Sequence, residues 1–448
     1  MAKKMPVVGW GRYPKSEGPV YRPEKRRGVE EVLRCGEHAT FLARGLGRSY
    51  GDAALNTGGA LINTTRLDRM LAFDASTGTL CCEAGVSFTD IIDTFLPRGW
   101  FLPVTPGTRF ITVGGAIAHD VHGKNHHRDG TFGQWVDWFD LLIPAGDTLR
   151  CSRTENNDVF WATLGGAGLT GVMLTAQFRL LRVESAWWEV DYFKAKNIEE
   201  VLSAIESTEA EYPYSVAWVD CLAKGASLGR SVLMNGRNAP ASAIQRQDPL
   251  ALPRKRAKRI PLDFPAFVLN PWSIRAFNTV FYGKAATRNG VLVDFDSYFY
   301  PLDFLHDWNR LYGKRGFIQY QFVVPMNQRH GLIDLLEMVS ASGRASFLAV
   351  LKKFGPANEG LLSFPFEGFT LTLDIAMRDG LVNFLHQLDR KLLDHNGRLY
   401  LAKDAAMTPA TFRAMYPRFE EFKALKHRLD PNGRLVSDQA RRVGLVET

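Results

Sequence analysis

Glycine-rich runs set at the ends of short strand-like segments constrain this sequence more than any other feature. The first is Ala43-Arg44-Gly45-Leu46-Gly47-Arg48-Ser49-Tyr50-Gly51-Asp52, directly after Thr40-Phe41-Leu42-Ala43. The second runs from Pro106-Gly107-Thr108 through Thr112-Val113-Gly114-Gly115-Ala116 to Ala118. The third is Thr163-Leu164-Gly165-Gly166-Ala167-Gly168-Leu169-Thr170-Gly171-Val172. Without a Cβ, such turns let backbone N–H groups converge on a phosphate or lie against a flat ring. Arg44 and Arg48 add positive charge to the first. An ordinary tight turn is the alternative for any one run taken alone. The first run is not a Walker loop, since no Gly-Lys-Ser/Thr follows, and its spacing does not fit the Rossmann fingerprint.

The 448 residues suffice for one large core or two. Up to about residue 185 the pattern mixes strands, helices and glycine turns. Strand-like runs are Ala60–Asn63, Leu80–Ala84, Trp138–Pro144 and Gly171–Arg182, a helix spans Ser87–Arg98, and a Gly/Thr-rich loop covers 105–115. Beyond Trp187 longer strands alternate with helices such as Ile198–Thr208 and Gly331–Ala341, which places a boundary near 185. Residues 240–265 read as a long loop with the basic run Arg254–Arg259 and prolines 253, 261 and 265. The last fifty residues open on a strand, Gly397–Leu401, and continue in helices to the turn Asp430-Pro431-Asn432-Gly433.

Net charge is +8, which suits an anionic membrane, a phosphorylated substrate or nucleic acid. With no zinc-finger spacing, no RNP-like strand and no aromatic platform beside the basic run, nucleic acid is not expected. His119, His122, His126 and His127 cluster, but their spacing does not set two histidines and an acid on one helical face, so no metal is expected. The five cysteines lack metal spacing and read as reduced thiols of a cytoplasmic protein. No apolar leader follows Met1, and no run is long enough to span a membrane.

A fourth segment, Leu399-Tyr400-Leu401-Ala402-Lys403-Asp404, puts a lysine just past a strand, where it is either a solvated loop charge or a cation set against a cofactor. In this order the four segments, with His119-Asp120-Val121-His122-Gly123-Lys124-Asn125 after the second, resemble the decaprenylphosphoryl-β-D-ribose oxidase family. These are flavoprotein subunits of 2′-epimerases, in the vanillyl-alcohol-oxidase class. The resemblance runs from Gly9-Trp10-Gly11-Arg12 to Ser437–Arg442 and takes in Trp308-Asn309-Arg310 and Phe354-Gly355-Pro356.

The resemblance implies an α+β chain: a two-lobed PCMH-type FAD-binding domain (1–186, completed by 398–448) and an inserted α+β substrate domain (187–397) on an antiparallel sheet. It places the FAD pyrophosphate in the turn Arg44, Gly45, Leu46, Gly47, Arg48, Ser49 and Tyr50. Gly107, Thr108, Thr112, Gly114, Gly115, Ala116, His122 and Asn125 line the rest of the cofactor site. Gly171 and Val172 lie at the adenine, and Tyr400 and Lys403 at the isoalloxazine. Some related oxidases tether flavin through a histidine; Ser49-Tyr50 in the turn implies non-covalent FAD.

The implied reaction is oxidation of the 2′-hydroxyl of a polyprenyl-phosphoryl ribose, with a separate NAD(P)H-dependent keto-reductase completing epimerisation towards a cell-wall arabinan donor. Lys403 is the candidate cation against developing charge, and His122, Lys124 and Tyr50 are the candidate bases. Trp218, Gln319, Gln321, Val350, Lys352, Thr370 and Thr372 are the candidate substrate contacts. The family's mycobacterial members carry Cys at Thr372, Asn at Thr370, and Tyr-His where Phe299-Tyr300 stands, so the pocket wall differs. A soluble sugar or alditol oxidase using O₂ is the alternative activity, and a protein holding FAD only structurally is a third reading. Peripheral contact of the 240–265 loop with an anionic membrane, at its inner face, is also expected.

Overall fold

The computed structural model describes residues 2–34, 36–253, 257–265, 267–344, 346 and 348–446. Cys35 and Arg254-Lys255-Arg256, which the sequence reading singled out, lie outside the described residues. The chain is α+β. A four-stranded sheet orders Lys3–Val8, Lys15–Tyr21, Ala60–Asn63 and Phe41–Arg44, the last two parallel to each other. A five-stranded antiparallel sheet orders Met70–Asp74, Thr79–Glu83, Val172–Arg179, Val136–Leu142 and Thr148–Ser152. The helix Phe88–Phe95 starts on a capping box, Ser87 with Asp90, and buries Phe88, Ile91, Ile92 and Phe95. The 105–115 stretch is a loop only in part, because Thr112 caps a short helix, Val113–Ala118.

The later residues build an eight-stranded sheet: Arg288–Asp294, Trp187–Ala195, Ser231–Asn238, Tyr214–Val219, Ala349–Phe354, Gly368–Ala376, Phe317–Pro325 and Arg398–Leu399. Its pairings are antiparallel. Alternate residues of a strand face opposite sides. Leu351, Leu371 and Leu373 therefore share a core with Leu202, Leu335, Leu336, Leu385 and Leu388 of the helices Ile198–Thr208, His330–Ser342 and Leu381–Asp394. The intervening residues face the other way, in the register Gln319↔Asp374, Gln321↔Thr372, Val350↔Thr372 and Lys352↔Thr370. A slip of one residue would bury this polar row and expose the leucines.

The strand expected over Gly397–Leu401 is only Arg398–Leu399, and it closes the edge of the eight-stranded sheet. From there the chain returns to the four-stranded sheet, where Leu435 bridges Phe41 and Arg442 pairs with Asp52 and Asp404. The 240–265 stretch is more structured than a loop. Ala241–Ala243 forms a helical turn, and Lys258–Arg259 pairs parallel with Leu305–His306. Among the described residues, no helix is long and apolar enough to cross a membrane.

Candidate active site

An open cleft lies between the glycine runs and the polar face of the eight-stranded sheet. All seven residues of the first turn, Arg44 to Tyr50, line it. A side chain at Gly45 would collide with the Thr112 hydroxyl, and Gly47 takes φ +66° against the Arg44 guanidinium. The backbone is thus bared to the cleft at two points where only glycine fits. Arg44 itself serves the turn: its guanidinium donates to the carbonyls of Ala54 (2.7 Å) and Val8 (2.7 Å). Arg48 stays turned to the cleft. Its guanidinium lies 4.0 Å from the centre of the Trp10 ring, and its buried Nε has no hydrogen-bond partner.

Gly107, Thr108, Thr112, Gly114, Gly115 and Gly171 also line the cleft. The histidines disperse. His119 Nε2 meets Ser49 Oγ (3.0 Å), His126 Nδ1 accepts from the Gly355 N–H, and His127 Nε2 faces the Tyr212 carbonyl. Among the described residues, no group of three or more His, Cys, Asp or Glu could hold a metal.

The opposite wall is the sheet face: Gln319, Gln321, Val350, Lys352 and Thr372, joined by His122, Tyr400 and Lys403. His122 is packed against Phe354, Phe364 and Tyr400. Its Nε2 lies 3.0 Å from Gln321 Nε2 and its Nδ1 3.4 Å from Lys352 Nζ. Burial, with Lys352 beside it, holds its pKa well below the usual value, so the ring is neutral. Each ring nitrogen faces a side-chain nitrogen, Gln321 Nε2 on one side and Lys352 Nζ on the other, and a neutral imidazole accepts at only one of the two. Lys403 places its ammonium 3.8 Å from the centre of the Tyr50 ring. Burial pulls Lys403 down to about 7 and Lys352 to about 8. Burial drives the Tyr50 phenol far up, which keeps it protonated.

Two domain families match the sequence: the FAD binding domain over residues 19–152 and D-arabinono-1,4-lactone oxidase over residues 331–443. Decaprenylphosphoryl-beta-D-ribose oxidase of Mycolicibacterium smegmatis is 38% identical, over 98% of this chain and 97% of its own. The chain belongs to the decaprenylphosphoryl-β-D-ribose oxidase family. An uncharacterized Streptomyces coelicolor protein is 32% identical over 79% of this chain and 99% of its own. L-gulonolactone oxidase of Scyliorhinus torazame is 24% identical over 88% and 87%. As a member of this family the chain is an FAD-dependent oxidoreductase, and FAD is its cofactor.

The residues present fit that cofactor. The bared turn, the unpartnered Arg48 Nε and an unpartnered buried His119 Nδ1 offer donors and charge to an anionic dinucleotide. Several residues expected in this site lie outside the cleft wall. Lys124 turns its ammonium to the Tyr298 carbonyl and over the Tyr298 ring (4.0 Å), because apolar burial leaves that carbonyl as its acceptor. Asn125 donates to Pro103 O and Asp129, fastening the loop from behind. Ala116 and Val172 are buried in the core beneath the helix and strand that carry them. Thr370 accepts from Gln321 (3.3 Å), and Trp218 packs on Phe281 one strand beyond Val350.

Three residues that sequence reasoning did not assign to the site belong to it. Trp10 stacks under Arg48, and Asp303 lines the cleft and accepts from the Arg109 N–H (2.8 Å). Asp374 is wholly buried behind Gln319, which donates to its Oδ1, and its Oδ2 has no hydrogen-bond partner. Burial pushes the Asp374 carboxyl up to about 7, and Asp374 in turn supports the charge on Lys403. Its place two residues after Thr372, in line with Gln319, is the one signal that could have found it.

Proposed function

We propose that this enzyme oxidises the 2′-hydroxyl of a polyprenyl-phosphoryl ribose to the ketone. One observation carries the reading: a single wall of the cleft gathers Lys403, Lys352, His122, Gln319 and Gln321 opposite the phosphate-cradling turn. The relative's name, decaprenylphosphoryl-beta-D-ribose oxidase, supports the choice of substrate. When bound, FAD supplies the acceptor for the hydride that leaves the carbon. Lys403 holds a fixed positive charge for negative charge that develops during the reaction, with no solvent to reorganise. The hydroxyl proton passes to the His122–Lys352 pair, in which the imidazole is unprotonated and the amine titrates near pH 8. Gln319 and Gln321 orient the sugar. Tyr50, kept protonated by burial, is a donor rather than a base.

The FAD is held non-covalently, since Ser49-Tyr50 stands in the turn in place of a tethering histidine; acid or heat should release it intact. A separate NAD(P)H-dependent keto-reductase consumes the ketone, and the lipid-linked substrate makes peripheral contact with an anionic membrane part of the same reading. The test is anaerobic mixing of the holoenzyme with glycosyl-phosphoryl-polyprenols and, separately, with free sugars and alditols. Bleaching of the flavin by the lipid-linked ribose alone is the expected result. Bleaching by free sugars or alditols alone would replace this reading with the soluble oxidase.

A further inference from the structure

The helix Pro271–Lys284 presents an apolar stripe outward. The stripe Ile274, Asn278 and Tyr282, spaced four residues apart, faces the protein, and Thr279 and Phe281 beside it also make contacts. That stripe is largely polar: Asn278 donates to Asp220 (2.7 Å) and the Tyr282 hydroxyl to the Ala195 carbonyl (3.1 Å). The opposite stripe is Trp272, Ala276 and Val280, and Trp272 and Val280 are 77% and 55% exposed. Leu262 and Phe267, on the approach to the helix, are each 74% exposed. Apolar side chains this exposed mark a face that meets something other than water.

Charge and continuity say what. Among the described residues from 257 to 292, Lys258, Arg259, Arg275, Lys284 and Arg288 are basic against one acid, Asp263, and Arg259 pairs with Asp307. Asp263 is paired with Arg12. An exposed tryptophan with aliphatic neighbours and a basic surround is the composition of an element lying in a lipid–water interface. The inward side of the same helix leads to the cleft. Phe281 packs on Trp218 (4.6 Å between ring centres), Trp218 pairs with Val350, and Val350 and Leu348 line the cleft.

We propose that the helix Pro271–Lys284, with Leu262 and Phe267, is the element by which this enzyme lies in the surface of an anionic bilayer. Phe281, Trp218 and Val350 then form an apolar track along which a lipid tail reaches the cleft. The choice of a bilayer as occupant rests in part on the lipid-linked substrate proposed above.

The experiment is co-sedimentation of the FAD-loaded full-length enzyme with vesicles of phosphatidylcholine, alone or mixed equally with phosphatidylglycerol. The variants are Trp272→Ser and Trp272→Ser/Val280→Ser, both at exposed positions outside the active site. Wild type should partition onto the mixed vesicles and be released by salt. Each substitution should lower the partition about tenfold, while flavin reduction by a short, water-soluble prenyl-phosphoryl ribose stays unchanged. Failure of wild type to sediment, or equal binding by the variants, would overturn the proposal. So would a concentration-dependent dimer abolished by the double variant, which would give the face to a second copy. Vesicle binding without flavin reduction by any lipid-linked ribose would leave this inference standing and sink the substrate reading instead.

Discussion

The ammonium of Lys403 lies 3.8 Å from the centre of the Tyr50 ring, where the glycine turn and the opposite wall of the cleft come together. A ring face attracts a cation without neutralising it. Lys403 is thereby held in place while its charge remains free to act. The Tyr50 backbone N–H donates to the Ala402 carbonyl (2.9 Å), which locks the two segments in register.

Replacing Lys403 by Ala should leave the fold intact and slow flavin reduction by substrate about a hundred- to thousandfold, the usual effect of removing a preorganised donor to developing charge. Single-turnover stopped-flow measurement reads it. A rate near wild type would remove Lys403 from the chemistry, and loss of FAD would make it a cofactor-binding residue.

Asp374→Asn should move the pH profile. The Asp374 carboxylate favours the charged form of Lys403 against burial, which holds that lysine near 7. Without the carboxylate, Lys403 loses its proton at lower pH. The descending alkaline limb of flavin reduction should therefore shift towards acid, with the maximal rate at low pH little changed. An unmoved limb would show that Asp374 serves packing alone.

Thr372 lines the cleft between Gln321 and Val350, where the mycobacterial relatives of the resemblance carry a thiol. A threonine hydroxyl is a poor nucleophile without an activating base. Burial pushes the Cys151 and Cys221 thiols up to about 12, and Cys82 higher, so they are poor substitutes. Electrophiles generated by flavin reduction of nitroaromatic compounds should leave wild type active. Thr372→Cys should stay active and become inactivated with time, with added mass on the peptide bearing the new thiol. An adduct on wild type, or none on the variant, would contradict this placement.

The flavin-free protein should grow more stable from about pH 7 to about pH 8.5. Burial lowers Lys124 to about 7, Lys403 to about 7 and Lys352 to about 8 in the folded chain. Unfolded, each lysine returns to about 10.4. Between the two values the unfolded chain binds more protons, so the free energy of unfolding rises with pH. Urea unfolding across this window measures the slope; a flat or falling line would mean the three amines are better solvated than their burial implies.

Local signals reveal the scaffold well and the wiring poorly. Asn197 as a cap and the apolar spacing of Ile198, Val201, Leu202 and Ile205 make the helix Ile198–Thr208 readable before any fold is known. The glycine runs betray the cleft because they sit where a Cβ cannot. Asp374 escapes notice because its meaning depends on strand register with Gln319, 55 residues away. Lys124 misleads for the converse reason: sequence places it beside His122, while its side chain leaves for Tyr298. The helix Pro271–Lys284 goes unread because its outward stripe carries the apolar residues that periodicity would assign to a core.

The return of the chain after Arg398 ties the cleft to the last stretch of the sequence. Tyr400 and Lys403 sit on the crossing from the eight-stranded sheet to the four-stranded one, and Arg442 pins that crossing to Asp404 and Asp52. A chain lacking these residues has a cleft without Tyr400, Ala402 and Lys403. A chain cut before Arg398 should therefore hold FAD more weakly than the intact one.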